Sequence, residues 1–160
     1  MKRTKYLAVL ISIMGLAIMV IGGAYLGIAF QKNALVTDAL RAQKITLGLT
    51  PAQIAAGKLV DDGPTAQVAA ETLNEHLGKI APTFGELMAS NTKTGGKFDP
   101  TNPTNLTYGQ GLTMETGLNL AVLTFGFIQE TMVTGLTFII IGLVIGLSGL
   151  TLLGLAKRQD

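Results

Sequence analysis

Cysteine is absent from this 160-residue chain, and histidine occurs once, as His76. The first absence removes disulfide frameworks, thiolate zinc sites and cysteine nucleophiles. The second leaves too few imidazoles for most metal chemistry. Charge is scarce as well, since 14% of residues are Asp, Glu, Lys or Arg, against ~25% in soluble domains. A net charge of +2 is too small to argue for nucleic acid, and the basic residues form no stripe along a soluble helix. Catalytic signatures are missing too. No GxSxG occurs, and no serine has a His and an acid in a recognisable motif. Gly22-Gly23 and Gly95-Gly96 lack the strand–glycine–helix setting and the lysine of a phosphate loop. Asp61-Asp62-Gly63 lacks the rest of a calcium-binding loop. The expectation is a non-enzyme with no catalytic residue, cofactor or metal.

What the chain does have is apolar sequence, gathered at its two ends. The run from Tyr6 to Phe30 contains no charged residue. As a helix its length is roughly 37 Å, more than the ~30 Å hydrocarbon core of a bilayer. A rival reading is a cleaved signal peptide, with MKRTK as its basic region and Gly27-Ile28-Ala29 as a small-x-small cleavage site. Signal peptides, however, carry apolar regions of only about 7–15 residues. The second run, Met132 to Leu155, is also uncharged and spans about 36 Å as a helix.

The stretch from Gly117 to Ile128 is apolar as well and can continue the same helix. With Met132 to Leu155 as the span, Glu130 falls at its outer rim, where a carboxylate stays hydrated. A shifted span from Leu118 to Phe138 would bury Glu130 and make it a candidate proton or cation site. That register leaves the isoleucines and leucines after Phe138 without an apolar home.

The flanks give an orientation. Lys2, Arg3, Lys5, Lys157 and Arg158 stand against Asp160 alone, while Gln31 to Thr131 carries seven basic and nine acidic residues. Short basic flanks stay cytoplasmic. The expected fold is an all-α membrane protein, with two transmembrane helices flanking a small, mostly helical extracytoplasmic segment. Its divisions are a cytoplasmic N-terminus (1–5), a first span (6–30), an outer segment (31–116), an interfacial or helix-extending stretch (117–131), a second span (132–155) and a cytoplasmic tail (156–160).

Within the outer segment, local signals predict short helices joined by turns. Thr50 is a candidate N-cap with Pro51 at the first helical position and Gly57 as a stop. A second helix enters through Gly63-Pro64 and stops at Gly78, with Val68, Ala69, Leu73 and Leu77 as its apolar stripe. Thr83 to Glu86 fits a capping box. Thr92 to Asn105 is turn-rich and reads as a surface loop. Asn105-Leu106-Thr107 matches a glycosylation sequon.

Ala56 to Pro64 (AGKLVDDGP), Ala69 to His76 (AAETLNEH) and Phe84 to Leu87 (FGEL) stand between the two apolar runs. In that order they resemble a family of small bacterial, especially actinobacterial, two-span membrane proteins of uncharacterised function. The insert from Thr92 to Tyr108 and the long apolar stretch before Glu130 depart from that pattern. Some members carry the label of aromatic-ring-opening dioxygenases. A facial-triad iron site needs two histidines and a carboxylate, and a chain with one histidine cannot build it. His76 lies near Glu71, Glu75, Asp61 and Asp62 in sequence, with Lys79 three residues on. It reads as a solvated or capping side chain rather than a ligand.

The residues that invite a functional reading are glycines. Gly135, Gly142, Gly146 and Gly149 fall within roughly 60° of one another on a helix. The first run has a similar line in Ala8, Ser12, Gly15 and Gly22. Small residues let helix backbones approach closely in lipid, so these positions are the expected helix-packing surface. Leu143 is expected on the opposite face. The surface would meet the other span, a second copy or a foreign subunit. Two functions fit. One is an accessory or scaffold subunit of a larger membrane complex. The other is a self-associating sensor or transporter-like protein using Glu130 or His76. Expected partners are the lipid bilayer and other membrane subunits or further copies.

Overall fold

The computed structural model describes residues 2–158. Met1, Gln159 and Asp160, counted above in the two flanks, lie outside the described residues. The regular structure described is helical: α1 (Lys2–Gln43), α2 (Pro51–Ala55), α3 (Gly63–Ile80), α4 (Phe84–Ser90), a 3-10 turn (Thr92–Thr94) and α5 (Pro103–Arg158). No strand occurs among the described residues. α1 and α5 are long and apolar enough to cross a membrane. Of their most apolar windows only 17% and 11% is buried, unlike the core helices of a soluble fold.

Both long helices outrun the apolar blocks that announced them. From Gln31 to Gln43 the chain has neither glycine nor proline, and Ala34, Leu35, Ala39, Leu40 and Arg41 are good helix formers. α1 therefore continues until Lys44 adopts a left-handed conformation, φ 51°, and its amide bonds Arg41 O at 3.0 Å. α5 begins at Pro103, inside what the sequence presents as a loop. Asn102 Oδ1 accepts from Thr104 N at 2.9 Å, and proline suits the first helical position because its missing N–H has no helical partner there.

The chain divides into two compact units. One takes the residues up to Ala34 and from Phe127 onward; the other is Leu35–Gly126. In the second unit, Leu40, Val60, Ala66, Ala69, Ala70, Leu118 and Ala121 form one buried cluster, and Leu77, Ala81, Leu87 and Tyr108 form another. Small residues on α3 let it lie close to its neighbours. Val68, expected on the buried stripe, is 45% exposed, because the helix turns Ala66, Ala69 and Ala70 inward instead. A methyl placed on Gly111 would lie 2.6 Å from Leu77 Cδ2, so Leu77 packs where glycine leaves space.

The short helices start where the local chemistry says. Thr50 and Gln53 form a reciprocal capping box, and Gly57, at φ 75°, closes α2. There Lys58 N bonds Gln53 O and Gly57 N bonds Ile54 O, each at 2.9 Å, the paired pattern of a left-handed helix stop. Asp62 and Thr65 form a second capping box at the start of α3. Thr83 Oγ1 accepts from Glu86 N at 3.2 Å to start α4. The stop expected at Gly78 does not occur. α3 runs through it to Ile80 and ends at the extended Ala81, because Pro82 disfavours a helical conformation in the residue before it.

Candidate functional site

In the unit that pairs the start of α1 with the end of α5, the buried positions are almost all small. On α1 they are Ala8, Gly15, Gly22 and Ala29; on α5 they are Ile128, Gly135, Gly142, Gly149 and Ala156. Both series repeat every seven residues. Such a repeat keeps one stripe facing its partner along a left-handed supercoil. The approach is backbone to backbone. A methyl on Gly15 would sit 2.6 Å from Gly142 O, and one on Gly142 would sit 2.6 Å from Gly15 O. Gly22 and Gly135 are related in the same way, at 2.6 Å to Gly135 O and 2.9 Å to Gly22 O. A methyl on Gly149 would meet Ala8 O at 2.8 Å and Ser12 N at 2.6 Å. Ser12 turns its hydroxyl to Ala8 O at 3.0 Å, which removes a loose donor from the contact. Tyr25 sets its ring edge against Phe138, with centroids 5.8 Å apart.

Gly146 belongs to the expected surface through its backbone, since a methyl on Gly15 would sit 2.6 Å from Gly146 Cα, whereas Leu143 departs from its expected place. Gly146 is half-buried, and a methyl there would come no closer than 4.0 Å to Gly15 Cα. It borders a shallow groove of about 260 Å³ with Ser12, Leu16, Met19 and Leu143. Leu143, expected on the opposite face, flanks the contact instead. One residue along a helix is a 100° rotation, which carries it from Gly142 to the groove's edge rather than to the far side.

The ionisable candidates belong to different units. Glu130 is exposed on α5, and His76 is exposed on α3. Three of the four carboxylates near His76 in sequence have other partners. Asp61 pairs with Arg41, Asp62 caps α3, and Glu71 accepts from Gln67 Nε2 at 2.9 Å. Among the described residues no group of three or more His, Asp or Glu side chains comes together for a metal. Asn105, the acceptor of the sequon, is 1% exposed within the first turns of α5. Its amide nitrogen cannot take a glycan there, so that reading is overturned.

Sequence reasoning missed a cavity in the unit of Leu35–Gly126. About 550 Å³ lies between the last turns of α1 and the first half of α5, walled by Leu35, Val36, Leu40, Met114, Leu118 and Leu120. The two threonines that line it are turned to their own helix. Thr113 Oγ1 donates to Gly109 O at 2.9 Å, and Thr124 Oγ1 to Leu120 O at 2.7 Å. The groove is therefore apolar along its length, with the carboxamides of Gln43 and Gln110 at one end. The signal for it was Leu35, Ala39 and Gln43 at four-residue spacing, a line visible only once α1 is known to continue to Gln43.

No family model matches the chain, and no curated protein or solved structure matches it.

Proposed function

We propose that the chain is a non-catalytic, two-span membrane protein with both termini in the cytoplasm and its central helices outside. It serves as an accessory or scaffold subunit of a larger membrane complex. The observation that carries the reading is the interlock of Gly15 with Gly142 and of Gly22 with Gly135. It uses α1 as a permanent partner of α5, which suits an uncleaved span and not a removed signal. It also leaves Leu10, Ile13, Val20, Ile28, Ile140, Val144 and Leu147 pointing outward, each at least 53% exposed. Apolar surface of that extent is what a bilayer or neighbouring subunits cover. Glu130 then stands at the outer rim of the second span, hydrated.

The self-associating alternative needs a helix surface of its own. The glycine stripe is already occupied within the chain, so a second copy or a foreign subunit would have to use the outward apolar faces instead. Two measurements test the proposal. A reporter active only in the cytoplasm should work at either terminus and be silent when inserted at Gly95-Gly96, an exposed turn with both glycines at positive φ. Activity at that turn overturns the orientation. Migration on a native gel in mild detergent should show the chain within a larger assembly of foreign subunits. A uniform homo-oligomer whose signal is lost on Glu130→Gln replaces this reading with the sensor or transporter-like one.

A further inference from the structure

We propose that residues 103–117, the opening turns of α5, form a strap that swings away from α3 and α4 as one cooperative unit while α5 from Leu118 onward stays in place. The composition of the strap is the first argument. It holds three glycines and four threonines, residue types that lower helix stability relative to alanine or leucine. Thr113 Oγ1 and Thr116 Oγ1 donate to Gly109 O and Leu112 O at 2.9 and 2.8 Å, a back-bonding that weakens a helix slightly. No acidic residue stands in the first turn to meet the helix dipole. Such a segment is helical because of what packs on it.

What packs on it is also what its glycines admit. A methyl on Gly111 would lie 2.6 Å from Leu77 Cδ2, and one on Gly109 would lie 3.3 Å from the Phe98 ring. Tyr108 completes the contact, buried with Leu77, Ala81 and Leu87 and facing the Phe84 ring, with centroids 6.3 Å apart. On the surface, Asn74 Nδ2 donates to Glu115 Oε1 at 2.8 Å, a latch from α3. One member works against closure. Asn105 is buried, and no protein group lies within hydrogen-bonding distance of its Oδ1 or Nδ2. Closing the strap therefore takes a carboxamide from water without giving it a partner in the chain, and opening returns it. The next buried residue along α5 after Tyr108 is Leu118, which belongs to the other cluster with Leu40, Val60 and Ala66. Gly117, where an added side chain meets nothing within 4 Å, is the joint between the two. Opening bares Leu77, Ala81 and Leu87, so the strap governs access to that apolar strip.

The test is hydrogen exchange of the full chain in detergent micelles, followed amide by amide. Amides 107–116 should be at least about tenfold less protected than amides 119–125, through one common opening. Asn105→Leu keeps the branched outline and removes the unpartnered carboxamide, so it should slow strap exchange about tenfold. Gly117→Ala adds helix preference without a clash and should slow it about fivefold. The slowing should be the same at amides 107–109 as at amides 113–116, because one unit opens. Gly126→Ala, on the same helix and equally open, is the control and should leave the strap unchanged. A strap as well protected as 119–125 overturns the inference. So does a Gly117→Ala effect confined to its neighbours, which is local stiffening and not a cooperative strap. Faster strap exchange in Asn105→Leu, with 119–125 still protected, overturns it by showing that the asparagine holds the closed form. If Asn105→Leu loses protection throughout Leu35–Gly126, Gly117→Ala and its control decide by the same criteria.

Discussion

The two units solve the same packing problem with opposite materials. Where α1 meets α5 through glycine and alanine, the buried positions have almost no side chain to bury. In Leu35–Gly126 the largest fully buried side chains are Leu118, Val60 and Asn105. The first unit gains from how closely backbones approach. The second gains from apolar area removed from water. The two should therefore fail in opposite ways. Added volume breaks the glycine pair, and removed volume breaks the helical unit.

The largest effect is expected at Gly142. A leucine there must push against Gly15 O and Met19 N, at 2.6 and 2.7 Å from the first added carbon. Ordinary overpacking costs about 1–3 kcal/mol. Because the obstacle here is backbone, about 4 kcal/mol is expected, read as loss of thermal stability in mild detergent. Gly146→Leu should cost under ~1 kcal/mol, because its first added carbon stays 4.0 Å from the nearest neighbour. Equal damage at the two sites would show that the seven-residue stripe is not the contact.

The converse test is Leu118→Ala in the second unit. Leu118 is 1% exposed, and emptying such a site costs about 2–5 kcal/mol; about 3 kcal/mol is expected from the same melting measurement. Leu143→Ala beside the glycine stripe, at 45% exposure, should cost under ~1 kcal/mol. If Leu143 proves as costly as Leu118, side-chain burial sustains both units and the contrast fails.

How much of this the sequence disclosed depends on the range of the deciding interaction. Thr50, Thr83 and Gly57 were legible because a cap or a left-handed stop is settled within five or six residues. Gly78 misled because glycine permits a stop without requiring one, and Pro82 decided the end of α3. Gly135, Gly142 and Gly149 were legible as a stripe. Ala29, Ile128 and Ala156 were missed because they complete a seven-residue series that becomes visible only when the partner helix is known. Gly146 was legible too, for its backbone faces Gly15, although a carbon added to Gly146 itself would stay 4.0 Å away. Asn105 looked like a loop residue while Pro103 was read as part of a turn. Once Pro103 starts α5, the same asparagine is buried. The groove was not legible beforehand, since the line of Leu35, Ala39 and Gln43 shows only once α1 is known to reach Gln43, and the other wall lies far away in sequence.

A smaller effect should come from the cap of α3. Burial pushes the Asp62 carboxyl up, but the hydroxyl and amide of Thr65, with the charge of Lys58, outweigh it and hold the group below its ordinary value of 3.8. The Thr65 amide lies 2.8 Å from Asp62 Oδ1. A depressed folded value means the ionised form is favoured by folding. The stabilisation is therefore complete above the ordinary carboxylate range and disappears as pH falls through the lower folded value. Asp62→Ala should cost about 1 kcal/mol, read near neutral pH as faster amide exchange in the first turn of α3. The difference between variant and parent should shrink in acid. A difference that grows in acid would mean that the carboxylate does not act as an ionised cap.

The smallest effect is expected at the ion pair between Arg41 Nε and Asp61 Oδ2, 2.8 Å apart. It joins the last turn of α1 to the residue before the α3 cap, so its position invites a large role. Its surroundings argue otherwise. The arginine side chain is 57% exposed and the aspartate 20%, and contact through Nε alone is not the bidentate fork that makes Arg–carboxylate pairs strong. Exposed pairs are typically worth about 0.2–1 kcal/mol. A double-mutant cycle with Arg41→Ala and Asp61→Ala should give a coupling under ~1 kcal/mol at low salt. It should vanish near 1 M salt, where screening acts over about 3 Å. A coupling above ~2 kcal/mol that survived such salt would mean a charge pair closes the unit. Apolar burial around Leu118 would then no longer explain by itself why Leu35–Gly126 holds together.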